Sequence, residues 1–159
     1  MTIAFIGLGS NLDDPSAQVE EALGELSTVP NTRLLRSSSL YRTQPIGYAA
    51  QPCFVNAVAE VETALSAQAL LGELQRIEER HGRRRIIPGG PRTLDLDLLL
   101  FDELLLEQPG LTIPHPRMHE RAFVLAPLHE ISPGLAIPGK GRVADLLAGC
   151  SNQGIERIG

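Results

Sequence analysis

The chain has 159 residues, 43% of them hydrophobic, and a formal net charge of −5 at pH 7. This length supports one well-formed core, so we expect a single domain over residues 1–159, acting as a monomer. The net negative charge argues against nucleic-acid binding. The sequence shows no signal-peptide pattern and no run of roughly 20 apolar residues, which predicts a cytoplasmic protein without a membrane partner.

The first half of the chain alternates strand and helix patterns. Residues 2–9 are a β-branched and aliphatic run ending in Gly9-Ser10-Asn11, which predicts a strand and a turn. Asp14-Pro15 supplies an N-cap and a first-turn proline for a helix that faces a sheet. Its apolar stripe consists of Val19, Ala22, Leu23 and Leu26. Residues 33–43 and 54–63 predict two more strands, joined by a loop too long for a tight hairpin turn.

A second helix and a fourth strand complete the pattern. Ser66 caps the predicted helix and Gly82 follows its end. Its inward side chains are Leu70, Leu71, Leu74 and Ile77. The order is typical of an α+β, ferredoxin-like β-α-β-β-α-β fold, with an antiparallel sheet and both helices on one face. Beyond Phe101 we expect a short C-terminal extension, with a type II turn at Gln108-Pro109-Gly110-Leu111 between two short strands.

The fourth strand carries Asp95 and Asp97, which should share one face because strand side chains alternate. Two carboxylates with Cα atoms roughly 7 Å apart repel each other unless a cation lies between them. Hard oxygen ligands of this kind suit Mg²⁺ that is shared with substrate phosphates. An Asp-x-Asp pair on a strand also occurs as a plain solvated edge.

An arginine cluster precedes this strand. Arg83, Arg84 and Arg85 follow the second helix, and Arg92 follows a Pro-Gly-Gly segment. Guanidinium groups bind phosphate oxygens in a planar fork and keep their charge, so the cluster indicates a polyphosphate site. We expect the segment from residue 83 to residue 90 to close over bound substrates. The alternative is a solvated cluster that favours the helix C-terminus.

Short motifs along nearly the whole chain follow the pattern of one enzyme family. They are Gly9-Ser10-Asn11, Tyr41-Arg42-Thr43, Phe54-Val55-Asn56-Ala57, Gly90-Pro91-Arg92-Thr93-Leu94-Asp95-Leu96-Asp97 and the run from Arg121 to Leu128. The chain resembles the 6-hydroxymethyl-7,8-dihydropterin pyrophosphokinases of folate biosynthesis. The resemblance implies transfer of the terminal diphosphate of ATP to the pterin hydroxymethyl group, with AMP as the other product. The rival readings are a metal-dependent nucleotidyltransferase, which releases diphosphate, and a non-enzymatic ligand-binding module.

The resemblance also implies residue roles. Arg83, Arg85 and Arg92 look like phosphate clamps, and Asp95 and Asp97 look like ligands of two Mg²⁺ ions. The residues that match the ATP site are Leu71, Gln75, Glu78, Arg85, Arg92, Leu98, Leu111, Thr112, His115 and Arg121. Those that match the pterin site are Thr43, Gln44, Ile46, Phe54, Asn56, Asp95 and Phe123, with the two phenylalanines as stacking faces and Asn56 reading an edge of the ring.

Overall fold

A computed structural model of the chain describes residues 1–12, 14–43, 53–82 and 93–159. Its strands, in chain order, are β1 (Thr2–Ser10), β2 (Thr32–Ser37), β3 (Tyr41–Thr43), β4 (Phe54–Thr63), β5 (Asp95–Phe101), β6 (Leu106–Gln108), β7 (Leu111–Ile113), β8 (Ala136–Ile137), β9 (Gly141–Arg142) and β10 (Ile155–Arg157). Its α-helices are α1 (Pro15–Leu26), α2 (Ala67–Arg80), α3 (Ala122–Ile131) and α4 (Val143–Ala148), and a 3-10 turn covers Met118–Glu120.

The main sheet is antiparallel and has β1 near its centre. Its strand order is β10-β3-β4-β1-β5, and β2 pairs with the part of β4 that β3 leaves uncovered. The predicted strand over residues 33–43 is therefore interrupted. Ser38 lies in the gap, where its backbone N–H donates to the Val58 carbonyl and its hydroxyl accepts from the Val58 N–H.

Local sequence signals position the first two helices. Asp14 caps α1, where its carboxylate accepts a hydrogen bond from the Ala17 N–H at 3.5 Å. Ser66 caps α2 in the same way, accepting from the Ala69 N–H at 3.1 Å. Gly82 lies just past the end of α2 with φ of +72°, the left-handed conformation that glycine adopts at little cost. These predictions are confirmed.

The two faces of the sheet bury separate clusters. On one face Ile6 and Leu8 of β1 pack with the apolar stripes of α1 and α2, including Leu26 and Leu74. On the other face, residues of β1, β4 and β5 pack against α3 and α4. This second cluster includes Phe5, Val58, Leu99, Leu125, Leu128 and Val143. The prediction of helices on one face therefore holds for α1 and α2, while the segment after Phe101 covers the opposite face.

The C-terminal segment is more than an appendage. The β6–β7 hairpin closes through a turn in which Gly110 has φ of +81°, consistent with the predicted type II turn. Farther along, β10 adds a strand to the sheet beside β3, with Ile155 opposite Thr43. None of the described helices is long and apolar enough to cross a membrane. The segment thus completes both a core and a sheet edge.

Candidate active site

Glycines in β1 open a cavity on the second face of the sheet. Along this face β1 presents Phe5, then Gly7 and Gly9, so bulky side chains stop where the cavity begins. The cavity has a volume of about 470 Å³ and lies over four adjacent strands, β3, β4, β1 and β5, and the start of α3. Its lining includes Gly7, Gly9, Thr43, Phe54, Asn56, Asp95, Asp97, Arg117, Glu120, Arg121, Phe123 and Gln153.

Strand register places polar groups on either side of a glycine floor. Gly9 pairs with Asn56 of β4 on one side and with Asp95 of β5 on the other, and Gly7 pairs with Asp97. Neighbouring strands lie about 4.8 Å apart, so the Cα atoms of Asn56 and Asp95 are about 10 Å apart across Gly9.

The Asn56 amide is held in one orientation. The Thr43 hydroxyl donates to Asn56 Oδ1 at 2.9 Å, and both side chains are buried. A Cβ atom on Gly9 would lie 2.8 Å from Asn56 Nδ2, closer than real contacts allow. Gly9 is therefore required for space, and Asn56 turns its amide nitrogen toward β1.

An aromatic ring and two arginines form the opposite wall. The Arg121 guanidinium lies over the Phe123 ring, with its central carbon 5.4 Å from the ring centroid. Phe54 also lines the cavity, as does Arg117, for which the sequence suggested no role. Arg121, predicted for the ATP site, lines this larger cavity together with the predicted pterin residues.

A second cavity, of about 290 Å³, lies between α2, β5 and the β6–β7 hairpin. It brings together most of the predicted ATP residues that the structure describes, namely Leu71, Gln75, Glu78, Leu98, Leu111, Thr112 and His115. Asp97 lines both cavities. The two spaces therefore meet at the end of β5 that carries the carboxylates.

Glu78 has a structural contact within the second cavity. It is 7% exposed, and its Oε2 accepts a hydrogen bond from the Leu96 N–H at 2.7 Å. Leu96 stands between Asp95 and Asp97, so this contact ties the carboxylate-bearing backbone to α2. The contact also supplies a hydrogen-bond partner for a buried carboxylate.

His115 lies among charged groups and is largely buried. Burial lowers the pKa of His115 below its ordinary value, and the positive charges of Arg121 and Arg117 lower it further. The negative charge of Asp95 acts in the opposite direction but does not outweigh them. His115 Nδ1 accepts from the Arg117 N–H at 3.2 Å. The geometry therefore favours a neutral imidazole whose Nδ1 carries no proton.

The Asp95 and Asp97 side chains fit a divalent cation in part. They lie on one face of β5, as predicted, opposite the buried Leu94, Leu96 and Leu98. Within the described ranges no cluster of three or more His, Cys, Asp or Glu side chains is arranged around a metal position. Two carboxylates suit Mg²⁺ when phosphate and water oxygens complete its shell, which is the usual way this ion is bound.

Several predicted residues fall outside the described ranges. They are Arg83, Arg85, Arg92, Gln44 and Ile46, together with the whole predicted closing segment. Conversely, the structure brings Gly7, Glu120 and Gln153 to the larger cavity, which sequence reasoning missed. Gly7 could have been found, because Gly7 and Gly9 interrupt the apolar alternation of β1 on a single face. Gln153 carried no sequence signal.

Comparisons with known proteins identify the family of this chain. The family model for 7,8-dihydro-6-hydroxymethylpterin-pyrophosphokinase (HPPK) matches residues 5–133. The chain is 48% identical to the 2-amino-4-hydroxy-6-hydroxymethyldihydropteridine pyrophosphokinase of Pseudomonas aeruginosa over 154 residues, covering 97% of this chain and 95% of the relative. It is 47% identical to the Haemophilus influenzae enzyme of the same name over 147 residues, covering 92% of each chain.

The fold is also found among solved structures. A Plasmodium falciparum HPPK-DHPS variant with pteroate matches with a TM-score of 0.74 at 14% identity, covering 99% of this chain and 46% of that one. This chain thus spans about half the length of that structure, and the likeness concerns the fold alone. From the family model and the bacterial relatives, the chain belongs to the 7,8-dihydro-6-hydroxymethylpterin-pyrophosphokinase family.

Proposed function

We propose that this pyrophosphokinase of folate biosynthesis holds the pterin in the larger cavity and ATP in the smaller one. In the reaction, the pterin hydroxymethyl oxygen bonds to the β-phosphorus of ATP and loses its proton. The bond from this phosphorus to the α–β bridging oxygen breaks, and AMP leaves. The position of Asp97, which lines both cavities, is the observation that carries this assignment.

The larger cavity suits a flat, polar heterocycle. Phe123 offers an aromatic face, and Phe54 offers a second ring on the same cavity. The Asn56 amide can hydrogen-bond to the edge of a ring that lies over Gly9, because the Thr43 hydroxyl already fixes the amide's orientation. Stacking combined with edge hydrogen bonds is the usual basis for recognising such ligands.

The smaller cavity suits an adenine nucleotide. Leu71, Leu98 and Leu111 offer apolar contacts for a base, while Gln75 and Thr112 offer hydrogen-bonding groups at its edge. His115 lines the same cavity close enough to Asp95 to be affected by its charge, and a neutral imidazole there can donate a hydrogen bond from Nε2 to a phosphate oxygen. The triphosphate would then run from this cavity toward the carboxylates.

Charges at the junction of the cavities fit a polyphosphate and its cation. Asp95 and Asp97 would hold Mg²⁺, which supplies charge neutralisation on the transferring group. Arg117 and Arg121, on the wall of the larger cavity, bring permanent positive charge to the same end. Two Mg²⁺ ions, and phosphate clamping by Arg83, Arg85 and Arg92, remain predictions from the resemblance.

We also propose a ferredoxin-like fold for the part of the chain up to Phe101. In the main sheet, β2 and β3 both pair with β4, and β1 and β5 follow on the other side of β4. This strand order, with α1 and α2 on one face, supports the ferredoxin-like assignment. A single domain, a monomeric state and a cytoplasmic location stay predictions from the sequence.

Product analysis tests the proposed reaction. Purified protein, ATP, MgCl₂ and 6-hydroxymethyl-7,8-dihydropterin should yield AMP and the pterin diphosphate in equal amounts, and omission of the pterin should stop AMP formation. Asp97→Asn removes one carboxylate charge and should lower the rate by at least about 100-fold while the protein stays folded. Release of diphosphate would favour a nucleotidyltransferase, and ligand binding without turnover would favour a binding module.

A further inference from the structure

Gln153 makes two hydrogen bonds to the backbone on either side of Arg121. Its Oε1 accepts from the Ala122 N–H at 2.9 Å, and its Nε2 donates to the Glu120 carbonyl at 2.7 Å. Gln153 itself lines the larger cavity. A carboxamide presents one acceptor and one donor side by side, so it matches a backbone N–H and C=O pair in full.

This contact supplies a cap that α3 lacks locally. Arg121 occupies the N-cap position of α3, and its side chain makes no capping hydrogen bond. The first N–H groups of a helix have no partner within the helix, and an unpaired buried N–H is costly. Gln153 provides the partner for Ala122 from a distant part of the chain, so it fixes where α3 begins.

The position of Gln153 is itself well fixed. Its backbone N–H donates to the Cys150 carbonyl at 3.0 Å in the turn after α4. Two residues later, Ile155 pairs with Thr43, another residue of the larger cavity. Gln153 therefore connects two walls of this cavity, and it lies outside the matched family range of residues 5–133.

We propose that Gln153 is a positioning residue for the pterin substrate, acting through the backbone that carries Arg121 and Phe123. The inference rests on the proposed function, because it assigns the larger cavity to the pterin. Gln153 fixes the position of the start of α3. It thereby sets where the Phe123 ring and the Arg121 guanidinium lie relative to the glycines of β1. The smaller cavity shares no residue with this contact, so its loss should weaken pterin binding more strongly than ATP binding, which it reaches through the Arg121 charge.

Steady-state kinetics of Gln153→Ala tests this role. The variant should raise KM for the pterin about fivefold, because part of the free energy of its two hydrogen bonds is lost from pterin binding, with KM for ATP and kcat changed by less than about twofold. Gln153→Glu keeps the acceptor for Ala122 but places a carboxylate oxygen against the Glu120 carbonyl, so it should raise KM for the pterin at least as much as Gln153→Ala does. Calorimetric titration with the pterin alone should show the same loss of affinity.

Gln68→Ala is the matched control. Gln68 donates to Gln108 Oε1 at 3.1 Å on the exposed surface, and neither residue lines the larger cavity, so this variant loses one glutamine contact and should leave KM for the pterin unchanged. Equal increases of KM for both substrates, or a pterin KM unchanged in Gln153→Ala and in Gln153→Glu, would overturn the inference. The two proposals can fail separately. If the wild-type protein forms no product but binds the pterin more tightly than the Gln153 variants do, the proposed reaction is contradicted and the role of Gln153 in pterin binding is supported.

Discussion

The amide of Asn56 shows how a missing side chain shapes a site. Gly9 has no positive φ, so its backbone conformation is open to any residue, and the requirement for glycine comes from the 2.8 Å approach of Asn56 Nδ2 to a Cβ position. Sequence reasoning identified both residues through motifs. It could not identify their contact, because that depends on the register between β1 and β4.

Substitution of Gly9 by alanine should therefore damage pterin recognition selectively. The added methyl group pushes the Asn56 amide away from β1 and disturbs its hydrogen bond with Thr43, so pterin affinity should fall about tenfold while ATP affinity stays unchanged. Calorimetric titration of each ligand separately measures this.

Gly24→Ala provides the comparison for the same chemical change. Nothing lies within 4 Å of a Cβ at Gly24 on α1, so this variant should keep both affinities and raise the melting temperature slightly through better helix propensity. Equal losses for both ligands in Gly9→Ala would indicate a general distortion of the sheet instead.

At the scale of elements, Glu130 joins α3 to the edge of the sheet. It accepts from the Ser39 N–H at 3.0 Å, from the Ser39 hydroxyl at 2.9 Å and from the Tyr41 hydroxyl at 2.7 Å, and it pairs with Arg157 of β10 at 3.5 Å. Burial alone would raise the pKa of Glu130, but these hydrogen bonds and the Arg157 charge outweigh burial and lower the pKa. Burial and the Glu130 contact raise the pKa of Tyr41 to about 12.

The lowered pKa of Glu130 makes this junction sensitive to acid. Its stabilising contribution is fully present above the ordinary carboxyl pKa of 4.5 and is lost as the pH falls through the lower value of the folded state. Glu130→Gln removes the titrating group, so its melting temperature should fall less than that of the wild type between about pH 6 and about pH 3.

Differential scanning calorimetry at the two pH values measures the difference. Glu62→Gln is a suitable control, because Glu62 pairs with the exposed Arg33 at 3.0 Å and surface pairs contribute little to stability. A pH dependence of Glu130→Gln as steep as that of the wild type would show that the junction does not titrate in this range.

The ends of elements were predictable where the signals are local. Asp14 and Ser66 mark the starts of α1 and α2 because capping depends on neighbours within three residues. The helix α3 was missed, since Pro127 lies inside it and proline removes an N–H from a helix interior. Tertiary packing of Leu125 and Leu128 against the sheet compensates for this loss.

The end of α2 is held by contacts that only the fold reveals. The His81 ring is hydrogen-bonded on both nitrogens, to Gln18 and to Glu25 of α1, and Arg80 pairs with Glu25 at 3.7 Å. This region comes directly before the predicted arginine segment. The sequence predicted the glycine stop at Gly82 but gave no sign of this connection to α1.

For the whole molecule, the elements predicted up to Phe101 agree with the structure better than those predicted after it. The carboxylates, their shared face and the helices under the sheet follow from periodicity, which a single segment contains. The second layer, the β10 edge strand and Gln153 depend on contacts between segments more than 30 residues apart, such as that of Gln153 with Ala122. Residue patterns alone carry no information on which distant segments meet.

The place of Asp97 on both cavities has a consequence for the order in which ligands bind. Whatever occupies one cavity changes the field that this carboxylate presents to the other, so the two binding equilibria are thermodynamically linked. Linkage is reciprocal: if MgATP changes pterin affinity by some factor, the pterin must change MgATP affinity by the same factor. With a non-hydrolysable ATP analogue, titrations in both orders should give one common factor different from unity. A factor of unity would mean that the two cavities bind their ligands independently although they share Asp97.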